Sequence, residues 1–165
     1  MGQIEGVFGP YLNAGVPANG TDEVQTLTPS AETASGTFKL AFDGYKTAAL
    51  AYNITAAAMQ TALNGLPSIG AGGVAVTLAL GVYTVTFSGT NVSKRAQPML
   101  EVLDSTLKDA GGDAVDLVAA EGTAGVTATA LGAQKGALII DTSNGELYIN
   151  VGTTTAPSWK KMTHA

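Results

Sequence analysis

Very few residues of this chain could serve as catalytic or metal-binding groups. The single histidine, His164, is the next-to-last residue, a position at which chains usually fray, so we exclude a Ser-His-Asp triad and a multi-histidine metal site. The sequence contains no cysteine, which excludes disulfides, thiolate metal sites and a cysteine nucleophile and leaves the redox compartment open. Carboxylates are therefore the main reactive groups left to consider.

Several carboxylates cluster in the second half of the chain. Within them, the segment DAGGDAVD at 109–116 is faintly similar to a calcium-binding loop, but its spacing is not that of an EF-hand. The glycine-rich GAGG at 70–73 lacks the Lys-Ser/Thr pair and the strand-then-helix context of a phosphate loop. We interpret the carboxylates as solubilising surface groups and GAGG as the entry to a hairpin, so we expect no enzyme activity, no cofactor and no metal. The clustered carboxylates are Asp104, Asp109, Asp113, Asp116 and Glu121.

Charge patterning argues against nucleic acid and membranes as partners. Charged residues make up 13% of the chain, against about 25% in typical globular proteins, and the formal net charge is −5. A negative field repels phosphate backbones and anionic lipid, and the longest basic runs are the dipeptides Lys94-Arg95 and Lys160-Lys161. The sequence shows no secretory signal and no run of ~18 apolar residues that would span a bilayer. We therefore expect no nucleic acid and no membrane among its partners.

The chain begins with a glycine-rich segment, residues 1–21, whose apolar residues follow no helical or strand period. Two interpretations compete: a frayed terminus, or an extended arm that docks on a neighbouring protein. The aromatic residues favour the arm, because a disordered tail seldom retains them. The candidate arm contacts are Ile4, Val7, Phe8, Tyr11 and Leu12.

The central segment, residues 22–128, alternates between apolar and polar residues. Residues 37–42 predict a half-buried strand that Asp43-Gly44 turns into a hairpin, and residues 74–80 and 82–87 predict a second hairpin around Gly81. Two weaker strand candidates follow, at 98–107 and 114–129. Together with the single helix considered next, this pattern predicts an α+β fold that is mostly β, with antiparallel hairpins packed on one short helix.

That helix is predicted over about residues 55–65, between the two hairpins. Thr55 can cap its first turn, Gly65 can take a left-handed closing position and Pro67 prevents continuation. Such a short helix must be held by tertiary packing, so we expect it to brace the sheet. The packing stripe consists of Ile54, Met59, Ala62, Leu63 and Leu66.

The last segment, residues 129–165, is predicted to form a small β-hairpin unit. Its strands lie at Leu138–Asp141 and Leu147–Val151, around an Asn-Gly turn. A lone two-stranded hairpin is barely stable in water. We therefore expect the only tryptophan, Trp159, to fold back over the hairpin, or the hairpin to be covered by another subunit.

A series of short motifs runs through the middle of the chain. They read Glu-Val-Gln, Gly-Thr-Phe-x-Leu, Gly followed by Thr-x-x-Leu, Asn-x-Thr-Ala-Ala, Leu-Pro-x-Ile-Gly and Tyr-Thr-Val-Thr-Phe. In this pattern about half of the chain resembles a β-rich module that recurs in tailed-phage structural proteins and large bacterial surface proteins. The motifs lie at Glu23–Gln25, Gly36–Leu40, Gly44 with Thr47–Leu50, Asn53–Ala57, Leu66–Gly70 and Tyr83–Phe87.

A second set of motifs lies in the last segment. Leu-Tyr-x-Asn-x-Gly-Thr at 147–153 and Pro-x-Trp at 157–159 resemble a short C-terminal unit of phage head-decoration and fibre proteins. Together the two resemblances imply a virion protein that binds through its surfaces and carries no catalytic residues. With 165 residues the chain is too short for a long tail fibre.

The resemblance leads to a specific hypothesis. We predict a non-enzymatic capsid decoration or head-fibre protein, made in the host cytoplasm and located on the capsid exterior, with the major capsid protein as its partner. We expect the N-terminal arm to bind the capsid and the protein to be a homo-oligomer, with a trimer favoured. The candidate oligomer or surface contacts are Leu147, Tyr148 and Trp159.

Two alternatives remain open. In a receptor- or glycan-binding module of a tail or cell-surface adhesin, exposed Tyr148 and Trp159 would stack on sugars. The competing interpretation of these two rings is that they fill the core of the terminal unit. The other alternative is a tail-tube subunit, which would assemble into rings or tubes.

Overall fold

The computed structural model describes residues 11–13 and 15–163. These residues divide into two compact units. The central unit consists of residues 21–126, and the terminal unit consists of residues 11–13, 15–20 and 127–163. The N-terminal residues from 11 to 20 therefore belong to the same unit as the C-terminal hairpin.

The central unit contains one α-helix and ten strands within its described residues. The helix is α1 (Ala56–Asn64). The strands are β2 (Val24–Pro29), β3 (Thr33–Ser35), β4 (Thr37–Phe42), β5 (Tyr45–Lys46), β6 (Leu50–Ala51), β7 (Val74–Ala79), β8 (Val82–Phe87), β9 (Glu101–Leu103), β10 (Lys108–Asp109) and β11 (Leu117–Thr123). The terminal unit contains β1 (Tyr11–Asn13), β12 (Leu138–Asp141), β13 (Glu146–Asn150) and β14 (Trp159–Lys161).

The main sheet of the central unit is antiparallel, with the strand order β11-β2-β8-β7. One face of this sheet is buried in the core together with Met59 and Leu63 of α1. A smaller sheet pairs β4 with β5 and β6 along one edge and with β9 along the other. Phe42 of the smaller sheet stacks on Phe87 of the main sheet with ring centroids 5.1 Å apart. The prediction of a mostly β, α+β fold is confirmed.

Helix α1 begins and packs as predicted but ends differently. Thr55 Oγ1 accepts a hydrogen bond from the Ala58 amide at 3.2 Å, and Met59 and Leu63 are completely buried. Gly65, however, has a φ of −77°, so the prediction that it takes a left-handed conformation is wrong. The chain instead continues in tight turns that bury Leu66 and Ile69, and the positive φ comes at Gly70.

Both predicted hairpins of the central unit are present. Asp43 and Gly44 between β4 and β5, and Leu80 and Gly81 between β7 and β8, all have positive φ. Positive φ at both central residues is the requirement of a two-residue turn that follows the twist of its strands. The weaker strand candidates are shorter than predicted, since only β9 and β11 form within them.

The terminal unit is a four-stranded sheet with the order β1-β12-β13-β14. β12, β13 and β14 are antiparallel neighbours, whereas β1 lies parallel to β12. Two further strands thus flank the predicted hairpin, which removes the instability of a lone pair. Its core contains Ala133, Ile139, Tyr148 and Trp159, so Trp159 packs on its own hairpin.

Candidate functional site

The predicted N-terminal arm is only partly within the described residues. Ile4, Val7 and Phe8 lie outside them, whereas Tyr11 and Leu12 form β1 and pair with Ile139 and Ile140. Pairing between strands so far apart in sequence could not be read from the local pattern.

Hydrogen bonds join the end of β1 and the chain that follows it to the rest of the terminal unit. The Asn13 carbonyl accepts from the Thr142 amide at 2.8 Å, and the Asn19 side chain accepts from the Trp159 amide at 2.5 Å. The Ala18 amide donates to Thr129 Oγ1 at 2.8 Å. From residue 11 onward, the predicted arm is therefore an integral part of a folded unit.

The three predicted surface contacts of the terminal unit differ in exposure. Tyr148 and Trp159 are only 6% and 5% exposed, and the indole Nε1 of Trp159 donates to the Thr129 carbonyl at 3.0 Å. Leu147 is half-buried and lines an open hollow of ≈350 Å³ with Glu146, Lys161 and Met162. The two aromatic rings are thus part of the core of the terminal unit, and they offer no free face on which a sugar could stack.

Asn150 organises the loops next to this core, a role that sequence reasoning missed. Its side chain is 1% exposed and donates to the carbonyls of Ala133 and Gln134 at 2.8 and 3.2 Å. Its Oδ1 accepts from the amides of Gly152 and Ser158, both at 2.9 Å. The asparagine of the Leu-Tyr-x-Asn-x-Gly-Thr motif therefore fixes two loops at once.

Asp141 plays a similar part at the turn between β12 and β13. This fully buried residue accepts from the amides of Gly15 and Ser143, both at 2.9 Å. Its other oxygen accepts from the Asn144 side chain at 2.8 Å. The Asn144 hydrogen bond is the main reason that the pKa of Asp141 lies below its ordinary value. Asp141 is therefore stabilised as a carboxylate. Its hydrogen bonds join the N-terminal segment to the hairpin turn.

Glu146, Tyr148 and Lys161 form a polar cluster on the neighbouring strands. Glu146 is paired with Lys161 and accepts from the Tyr148 hydroxyl at 2.8 Å. The hydrogen bond from Lys161 is the main cause that lowers the pKa of Glu146, and the hydrogen bond to Glu146 raises the pKa of Tyr148 to about 12. Because the Glu146 carboxylate already has two partners, we interpret the cluster as structural. It links β13 to β14.

A buried carboxylate in the central unit is also structural. Glu23 is 3% exposed and Gln25 is completely buried. Glu23 accepts from the Gln25 side chain and from the Gln97 amide, both at 2.7 Å, while Gln25 accepts from the Leu100 amide at 2.8 Å. Both Glu23 oxygens thus have partners, and Glu23 and Gln25 together tie β2 to the segment before β9. The Glu and Gln of the Glu-Val-Gln motif are therefore the residues that form this hydrogen-bond network.

The glycine of the Gly-Thr-Phe-x-Leu motif has a steric role. Gly36 has a φ of +102°, and a Cβ there would lie 2.2 Å from the Thr106 carbonyl oxygen. Phe38 and Leu40 of the same motif are buried in the core, and the Leu40 amide donates to Thr47 Oγ1 at 3.1 Å. The motifs of the central unit therefore maintain close backbone packing.

The acidic residues of the second half are dispersed. Asp104 pairs with Lys39 at 2.7 Å, and the hydrogen bond from Lys39 lowers the pKa of Asp104. Asp109 Oδ1 accepts from the Asp113 amide at 2.8 Å within a turn. Across residues 11–13 and 15–163, no group of three or more His, Cys, Asp or Glu side chains could hold a metal ion.

In the same part of the chain, no helix has the length and hydropathy needed to cross a membrane.

The sequence matches no protein-family model and no curated protein. A solved structure described as Mycobacterium phage Patience is similar to the chain with a TM-score of 0.40 and 16% sequence identity, over 88% of this chain and 47% of that chain. This chain thus spans about half the length of that structure. Because a TM-score this low does not establish a shared fold, nothing is carried over from that protein.

Proposed function

We propose that this chain is a non-enzymatic decoration or head-fibre protein that binds the outer surface of the major capsid lattice of a tailed phage. The observation that carries the proposal is the resemblance of the motifs in both units to phage structural modules. Glu23 and Gln25 fix the central unit, and Asn150 and Trp159 fix the terminal one. The motif residues thus hold the two units in shape, and the assignment to a phage capsid comes from the resemblance.

Capsid binding is assigned to the N-terminal arm, and the arrangement of the terminal unit supports this assignment. Among the described strands β1 lies at the edge of its sheet, and the bonds of Asn13, Ala18 and Asn19 anchor β1 and the chain that follows it. Residues 2–10 are joined directly to this anchored segment. Their apolar residues, Ile4, Val7 and Phe8, are the groups expected to enter apolar pockets of the capsid, as buried anchors do in other interfaces.

A deletion of residues 2–10 tests this function, because it keeps β1 and the bonds that follow it. Purified protein is mixed with undecorated capsids, and the bound fraction is measured by co-sedimentation. We expect the deletion to weaken binding at least about 30-fold, the effect of losing a strong anchor. Emission of Trp159, which lies in the core of the terminal unit, reports whether that unit stays folded. Deleting residues 2–21 would be a poorer test, since it also removes β1.

Point variants sharpen the deletion. Phe8→Ser removes one apolar anchor, while Gln3→Ser in the same segment serves as the matched control. Binding should fall with Phe8→Ser and stay at the parent level with Gln3→Ser. Parent-like binding by the deletion variant would remove the arm from the proposal, and absence of binding by the parent protein would refute the capsid function itself.

A further inference from the structure

The main sheet of the central unit presents a face of threonine, valine and alanine on the side opposite to the core. Register places these residues in rows across the strands, such as Thr77, Thr84, Thr26 and Ala120. We call this surface the outer threonine face. It consists of Val24, Thr26 and Thr28 of β2, Ala75, Thr77 and Ala79 of β7, Val82, Thr84 and Thr86 of β8, and Val118 and Ala120 of β11.

The outer threonine face carries no charge. The sequence has no charged residue from Thr47 to Ser93, which covers β7 and β8, and the outward residues of β2 and β11 are uncharged as well. Soluble domains normally have about 25–35% charged residues on their surface, whereas the centres of interfaces are depleted of charge. The face therefore shares with interface centres the depletion of charge.

The side chains of the outer threonine face can form hydrogen bonds with those of a second copy of the same face. A threonine hydroxyl both donates and accepts hydrogen bonds, so a row of threonines is complementary to another row of threonines. Two copies of a chain with a net charge of −5 repel each other, and this face lets them meet without burying a carboxylate. Nucleic acid and anionic lipid would find no basic group on it. We propose that two copies of the chain associate by packing their outer threonine faces together, as the sheets of a β-sandwich pack.

The edge of β7 next to this face is closed to strand addition over part of its length. Gln60 Oε1 accepts from the Val76 amide at 2.9 Å. Asn64 accepts from the Val74 amide at 2.9 Å and donates to the Val74 carbonyl at 3.3 Å. Because these side chains of α1 satisfy the edge groups that another strand would need, association through the face is favoured over association through this edge.

The test compares two lysine substitutions on neighbouring residues of β7. Thr77 is exposed on the outer threonine face, whereas Leu78 is 47% exposed and belongs to the opposite face. Thr77→Lys and Leu78→Lys change the net charge equally, and circular dichroism checks that both variants fold. Sedimentation equilibrium of the isolated full chain measures association. We expect Thr77→Lys to weaken it at least about 30-fold, because two unpaired ammonium groups would be buried, and Leu78→Lys to leave it within about threefold of the parent.

Salt and concentration give independent readouts. High salt should leave the association unchanged or strengthen it, because it screens the repulsion between the copies. A parent protein that stays monomeric up to about 1 mM, dissociation by salt, or equal weakening by both variants would each overturn the proposal. The measurement needs no capsid, so its failure leaves the proposed capsid function standing, and failure of capsid binding leaves this interface standing.

Discussion

Replacing Asn150 with alanine should unfold or nearly unfold the terminal unit. The substitution removes four hydrogen bonds: two donated to Ala133 and Gln134, and two accepted from Gly152 and Ser158. At about 1 kcal/mol each, their loss lowers the free energy of unfolding by about 4 kcal/mol. A unit of about 45 described residues has a total stability of roughly 2–7 kcal/mol. The loss is therefore comparable to the whole stability of the unit.

The assay is urea unfolding followed by tryptophan fluorescence. Trp159 is the only tryptophan of the chain and lies in the core of the terminal unit, so its emission reports that unit. With a urea dependence of about 1 kcal/mol per M, the low end of the usual range because the unit is small, the midpoint should fall by about 4 M. If the parent midpoint is lower than this shift, Asn150→Ala should show solvent-exposed emission already without urea.

Asn144→Ala is the matched control for this experiment. Asn144 is exposed in the turn between β12 and β13, and its side chain donates one hydrogen bond to Asp141. Its loss should cost about 2 kcal/mol, the worth of one hydrogen bond to a carboxylate, which is about half of the loss expected for Asn150→Ala. A parent-like midpoint for Asn150→Ala, or equal shifts for the two variants, would refute the assignment of Asn150 as the organiser of the terminal loops.

Two further predictions concern ionisation and turn geometry. The pKa of Tyr148 is raised to about 12, so its contribution to stability is complete below about pH 10 and is lost as the pH rises toward that raised value. The urea midpoint reported by Trp159 should fall across this window, and the fall should be smaller in Tyr148→Phe; equal falls would contradict the assigned cause. Leu80 is fully exposed with a φ of +52°, which asparagine tolerates better than leucine, so Leu80→Asn should stabilise the central unit by about 1 kcal/mol. Circular dichroism during urea unfolding measures this gain, with Ala79→Asn as the control that should show none.

The parts of the fold that could be predicted from sequence are those fixed by neighbouring residues. The Asp43-Gly44 turn, the Thr55 cap and the stripe around Met59 depend on residues only a few positions apart, and each lies where the pattern placed it. The parallel pairing of β1 with β12 joins Tyr11 to Ile139. Three residues without a hydrophobic period carry no signal of such a distant partner.

The helix shows the limit of pattern reading within a single element. The hydrophobic period of the helix identifies the buried stripe of Met59 and Leu63. The same period predicts that Gln60 and Asn64 lie on a polar outer face. In the structure these two side chains accept from the Val76 and Val74 amides. Their role follows from an i, i+4 spacing that places the side chains of Gln60 and Asn64 together at the edge of β7. The position of this edge is known only once the sheet is known.

The motif residues also indicate where function can reside. The buried networks of Glu23 and Asn150, and the close approach at Gly36, are requirements of packing. Any chain that keeps them keeps the two units, whatever it binds, since a fold does not by itself define a function. Specific binding must then come from other residues. The two proposals place it in the N-terminal residues before β1 and on the outer threonine face, and the two proposed experiments address them separately.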